Sequence, residues 1–120
     1  MAVRAFRGAI QLDLDERSHL LKSTAELVTK VLHENRLEIQ DLISIVFTAT
    51  PDITSEFPAL AARELGLDDV PLMCSVEMNV AGSMPRVIRM MLLAESKLQR
   101  SEVTHVYLRG AQSLRTDLAK

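Results

Sequence analysis

The residues best suited to chemistry in this chain are arginines set where water is scarce. In Val87-Ile88-Arg89-Met90-Met91-Leu92-Leu93-Ala94 every residue except Arg89 is apolar. A guanidinium withdrawn from water is costly unless an anion or several acceptors meet it. Two arrangements satisfy that demand. Arg89 either runs its methylenes to the surface or pairs with Glu77 or Glu64, or it faces a bound anion. Arg86, one turn earlier on a helix, reads as a solvated first-turn residue. Arg7 lies in a first strand with Arg4 at opposite parity, so the two cannot both face solvent in a half-buried sheet. Val3, Ala5 and Ala9 share a face with Arg7, and Phe6 and Ile10 share one with Arg4, which leaves open which arginine has the specific task. An edge charge against aggregation is the other use for either.

Other chemistries find little support. His19, His33 and His105 lie far apart, with no second His or Cys at ligand spacing, so no metal is expected. Cys74 is the only cysteine, which excludes an internal disulfide and multi-cysteine clusters and agrees with a reducing compartment, the cytoplasm. There is no Gly-x-Ser-x-Gly elbow, and Cys74 reads as a small core residue, so covalent catalysis is disfavoured. Gly66, Gly82 and Gly110 stand singly, and neither a Walker nor a dinucleotide fingerprint occurs, so no nucleotide is expected. Met78, Met84, Met90 and Met91 read as core filling.

The elements that must hold these residues follow from periodicity. Val3 to Ile10 is strand-like. Residues 16–35 place Leu20, Leu21, Leu27, Val28, Val31 and Leu32 on one helical stripe, with Asp15 as N-cap and Asn35 as stop. Leu42 to Ala49 reads as a largely buried strand that ends at a Thr50-Pro51-Asp52 turn. Ser55 caps a short helix over 56–65, with Pro58 in its first turn and Gly66 as its left-handed stop. Pro71 opens a strand over Val70 to Glu77. Gly82-Ser83 breaks the chain, and with Pro85 in a first turn the spacing predicts a third helix over 84–96, buried nearly all round. A last strand runs from Val103 to Arg109. The expected order is β-α-β-α-β-α-β, a single α/β or α+β domain over residues 1–120.

Composition narrows the partners. A chain of 120 residues hides roughly two-thirds of its unfolded surface on folding. Apolar residues make up 48%, yet Phe6, Phe47, Phe57 and Tyr107 are the only aromatics, so base-stacking platforms are not expected. The 14 basic and 16 acidic residues are interspersed and leave a net charge of −2, which gives no footprint for nucleic acid or anionic membrane. A small molecule or a protein is the expected partner. The arginines near the N-terminus interrupt any export signal, and the longest apolar run, Met90 to Ala94, falls far short of the ~20 residues that span a bilayer. So few strands cannot close a barrel within one chain, so the sheet edges are managed either by self-association or by charge.

Several segments, in order and nearly end to end, resemble the AroH class of chorismate mutase, the small trimeric class distinct from the all-helical one. They are Arg4-Ala5-Phe6-Arg7-Gly8-Ala9, Thr48-Ala49-Thr50-Pro51-Asp52 with Phe57-Pro58-Ala59, Ala62-Arg63-Glu64-Leu65, Val70-Pro71 through Cys74 to Glu77-Met78, Ile88-Arg89-Met90-Met91, His105-Val106-Tyr107-Leu108, and Leu114-Arg115 with Asp117-Leu118. The resemblance implies an α+β fold, a mixed sheet with helices on one side, assembled as a homotrimeric pseudo-barrel with sites between subunits. It implies rearrangement of chorismate to prephenate, for phenylalanine and tyrosine synthesis, with no cofactor. Arg89 then matches the donor to the ether oxygen and Glu77 the acceptor from the substrate hydroxyl. Arg7 and Tyr107 match contacts to a substrate carboxylate, Arg63 a contact from the adjoining chain, and Phe57 a residue packed on the substrate. Met73 and Cys74 match a backbone pocket wall, and Leu114 and Arg115 a closing segment. The chain departs from the pattern at Leu60, where a lysine is expected, and at Met73, where a threonine is expected. Two other readings use the same arginines: a trimeric metabolite-binding regulator, and an imine or enamine deaminase of similar general fold.

Overall fold

The computed structural model describes residues 1–114. Arg115 and the tail beyond it therefore lie outside the described residues. In chain order the elements are β1 (Ala2–Gln11), α1 (Arg17–Glu34), β2 (Leu42–Ala49), α2 (Pro58–Glu64), β3 (Leu72–Val76), β4 (Val87–Ser96) and β5 (Val106–Leu108), with short 3₁₀ turns between them. The strands form one sheet in the order β3-β2-β4-β1-β5. β4 is antiparallel to both neighbours, β1 and β2, while β3 and β5 run parallel to β2 and β1. This is the mixed α+β sheet that the resemblance implies.

One face of the sheet is covered. Leu20, Leu27, Val28 and Val31 of α1 and Ala59 and Ala62 of α2 pack into one apolar core with Phe6, Ile10, Ile45, Phe47, Ile88 and Leu92. Gly8 lets α1 approach closely: a Cβ there would meet Met90 Cγ at 3.0 Å and Leu27 Cδ1 and Val31 Cγ2 at 3.1 Å. The strand alternation leaves Val3, Val46 and Met91 exposed on the other face.

The helix ends follow local chemistry, with two exchanges of role. Glu16, not Asp15, caps α1, its carboxylate accepting from the amides of Ser18 and His19 at 2.7 and 3.0 Å. Those bonds hold the Glu16 carboxyl below its ordinary pKa. Asp15 instead accepts from the amides of Thr54 and Ser55, tying down the chain before α2. Asn35 ends α1 as expected, and its side chain donates to Val31 O and Thr104 O, both at 2.9 Å. At α2 the N-cap is Phe57, without a side-chain bond, rather than Ser55; Pro58 opens the helix, and Gly66, at φ 97°, follows its end.

The third predicted helix does not exist: the segment containing Arg89 is β4, the central strand. A short continuous apolar run fits a buried strand as well as a buried helix, and Met, Leu and Ala weight the local preference toward helix. Pairing with β1 and β2 along both edges decides the outcome. Pro85 accordingly lies in the loop before β4. Arg86 is not a first-turn residue but a left-handed one, at φ 55°. Its amide donates to the Asp52 carboxylate at 3.0 Å, and its Nε donates to Leu12 O at 3.0 Å. Of the methionines read as core, Met90 is buried, whereas Met78 and Met91 are exposed.

Candidate active site

Strand register assembles the site. On the face away from the helices, Ser75, Thr48, Arg89, Ala9 and Tyr107 stand side by side on β3, β2, β4, β1 and β5. The next row carries Met73, Val46, Met91 and Arg7. Ala9, which contributes only a methyl between Arg89 and Tyr107, leaves a depression. A cavity of about 260 Å³ lies over it, lined by Arg7, Ala9, Val46, Thr48, Arg89 and Tyr107 among others. Arg7 is thus the first-strand arginine that meets the cavity, while Arg4 donates from Nε to Leu98 O at 2.9 Å.

Arg89 is held at one end only. Its Nε donates to Glu77 Oε2 at 3.0 Å, and Thr48 Oγ1 donates to the same oxygen at 2.6 Å. The Glu77 side chain is 16% exposed and that of Arg89 40%. Among the described residues, nothing accepts from the terminal nitrogens of Arg89, and nothing donates to Glu77 Oε1. The pairing with Glu77 is therefore the arrangement the structure shows, and Arg89 also lines the cavity. Arg7 is half-buried, its backbone amide donates to His105 Nδ1 at 3.0 Å, and no described carboxylate pairs with its guanidinium. Two guanidiniums against one carboxylate leave the cavity attractive to an anion. Tyr107 is 7% exposed and packs with Ala9, Ala111 and the partly buried Leu114.

The remaining sequence-derived residues fall elsewhere. Phe57 and Cys74 line a second cleft, of about 380 Å³, with Ala49, Ile53, Ser75 and Val76, and the two hollows share no lining residue. Phe57 is 68% exposed and Met73 63%, unusual for large apolar side chains. Arg63, at the end of α2, is exposed and lines neither hollow. The chain thus unites Arg7, Glu77, Arg89 and Tyr107, with Leu114 beside Tyr107; Met73 stands next to Val46 without lining the cavity, and Phe57, Arg63 and Cys74 lie apart.

The sequence profile of the family Chorismate mutase type I matches residues 3–118. The chain belongs to the chorismate mutase type I family. It is 44% identical over 117 residues to the chorismate mutase AroH of Thermus thermophilus, covering 97% of this chain and 96% of that one. With the chorismate mutase AroH of Bacillus subtilis (strain 168) it shares 36% identity over 120 residues, 99% of this chain and 94% of that one. The structure of a chorismate mutase from Clostridium thermocellum superposes with a TM-score of 0.90 at 36% identity, covering 92% of this chain and 98% of the other.

Chorismate mutases are isomerases, and isomerisation is the activity of this chain. Its cavity offers fixed donors, one acceptor and an apolar surround, which suit binding and polarising an anion. Among the described residues there is no group of three or more His, Cys, Asp or Glu placed to hold a metal ion. Sequence reasoning overlooked Thr48 and Val46 as cavity residues. Their even parity in β2 is a signal that places both on the face opposite Ile45 and Phe47.

Proposed function

We propose that the chain rearranges chorismate to prephenate in the cavity over β4, by electrostatic stabilisation of the transition state, with no covalent intermediate and no proton transfer. The observation that carries this reading is Arg89, anchored through Nε to Glu77, with no acceptor among the described residues for its terminal nitrogens. In the rearrangement the ether C–O bond breaks as a C–C bond forms, and negative charge grows on the ether oxygen. A donor aimed there in advance is worth about 3–4 kcal/mol. Glu77 Oε1 accepts from the substrate hydroxyl, and Arg7 and Tyr107 hold a carboxylate. Prephenate then serves phenylalanine and tyrosine synthesis.

Residues 1–120 act as one domain within a homotrimeric pseudo-barrel whose sites lie between subunits. Phe57, Arg63 and the backbone of Met73 and Cys74 complete the site from the neighbouring chain, and Leu114 and Arg115 close it. Two observations support this: these wall residues lie apart from the Arg89 cavity, and Phe57, Met73 and Met91 are exposed. No described helix is long and apolar enough to cross a membrane, and together with the single cysteine this supports work in the cytoplasm. Hybrid oligomers test the reading. Subunits carrying Arg89→Ala and subunits carrying Arg63→Ala, each impaired alone, should regain chorismate turnover when unfolded and refolded together. An intact mixed trimer without recovery would rule out the shared site, and a wild-type chain that leaves chorismate unchanged would rule out the reaction.

A further inference from the structure

We infer that Thr48 is a positioning residue of this site, holding Glu77 so that one carboxylate oxygen and the end of the Arg89 fork stay free for substrate. The inference rests on the roles proposed above for Arg89 and Glu77. Thr48 occupies the row position between Arg89 on β4 and Ser75 on β3. An ionised carboxylate has no proton to give, so the Thr48 hydroxyl proton points at Glu77 Oε2. At 2.6 Å this is a short, charge-assisted bond, and it converges on the oxygen that also takes Arg89 Nε at 3.0 Å.

Glu77 needs such a holder because it stands just past the end of β3, tied to β2 through its backbone amide but with no strand neighbour beyond it to fix its side chain. Its amide reaches Ala49 O at 2.9 Å, but among the described residues only Thr48 and Arg89 grip its carboxylate. Arg89 alone is a poor guide, since a guanidinium accepts a carboxylate along more than one edge. Released from Thr48, the Glu77 carboxylate turns into a two-pronged pair with Arg89. That pairing consumes both Oε1 and a terminal nitrogen of Arg89, the two groups the rearrangement uses. Thr48 therefore keeps the internal ion pair one-sided.

Steady-state loss of chorismate, measured for Thr48→Val, Thr48→Ser, Glu77→Gln and the Thr48→Val/Glu77→Gln double variant, tests this. Thr48→Val keeps the branched shape and should lower kcat about 10- to 100-fold, the worth of a hydrogen bond to a charged group, with a much smaller change in KM. Thr48→Ser should restore kcat to within a few-fold of wild type. In the Glu77→Gln background the valine should add roughly twofold or less, because the group it positions is already lost. Wild-type kcat in Thr48→Val, an equal loss in Thr48→Ser, or additive losses in the double variant would each overturn the positioning role. Thr48→Ala gives the same readout without a second γ-methyl should valine disturb assembly. An inert wild type, or an unimpaired Glu77→Gln, would instead strike at the underlying roles of the site.

Discussion

The two faces of the sheet come from the same strands and obey opposite rules. The covered face carries Phe6, Ile10, Ile45, Phe47, Ile88 and Leu92, all fully buried under the helices. The open face carries Arg7, Thr48 and Arg89 among exposed Val46 and Met91. A one-residue step along β4 separates Ile88, buried in the core, from Arg89, which we propose acts in the reaction. Truncation on one face should therefore be read in stability, and on the other in turnover.

The sharpest test of that division is Arg89. Arg89→Ala, and nearly as severely Arg89→Lys, should lower kcat by several orders of magnitude while melting temperature and assembly stay close to wild type, since about 3–4 kcal/mol or more of transition-state stabilisation is lost. A lysine variant with near-normal turnover would count against a role that depends on the guanidinium fork. Leu27→Ala, in α1 where it packs against the covered face, is its counterpart. Urea unfolding should show a loss of about 2–5 kcal/mol, with kcat per folded molecule retained. Turnover that collapses in this variant before unfolding begins would show that the faces are not separable.

Smaller effects sharpen the picture. Arg7→Ala and Tyr107→Phe should each raise KM as well as lower kcat, by about 10-fold in kcat/KM, as expected for groups that bind a carboxylate. Unchanged constants in both would remove them from the site. The smallest effect belongs to Glu16→Ala, which uncaps α1 and should lower the melting temperature slightly without touching kcat. Because the native pKa of Glu16 is depressed, its stabilisation is present above the ordinary carboxylate value, about 4.3, and fades as pH falls through the native value. The gap in melting temperature between wild type and Glu16→Ala should close at low pH, and a gap that widens there contradicts the cap.

Much of this architecture was legible because it depends on short-range patterns. The α1 stripe, the bounds of β2, Asn35 as stop and Gly66 after α2 follow from periodicity and backbone preference, although β2, expected to be largely buried, fully buries only Ile45 and Phe47 because its other face is open. β4 was not legible, because its structure is imposed by strands on either side rather than by its own residues. The expected pairing of Arg89 with Glu77 survived the change from helix to strand, but its desolvation did not: on a strand only alternate residues turn fully inward, and the Arg89 side chain stays 40% exposed. Parity alone could not choose between Arg4 and Arg7; the choice needed the register of β1 against β4 and β5. Glu16 took the capping role expected of Asp15 because both can accept amide bonds, and the position of Thr54 and Ser55 turns Asp15 away from the helix.

The placement of Arg89 on a strand paired along both edges has a consequence for motion. Amides in the middle of β4, paired along both edges, should exchange with solvent only when the sheet opens, which predicts that the backbone beneath Arg89 is among the slowest-exchanging in the molecule. Under the proposed mechanism, the strand that carries Arg89 is thus set during folding rather than during each catalytic cycle.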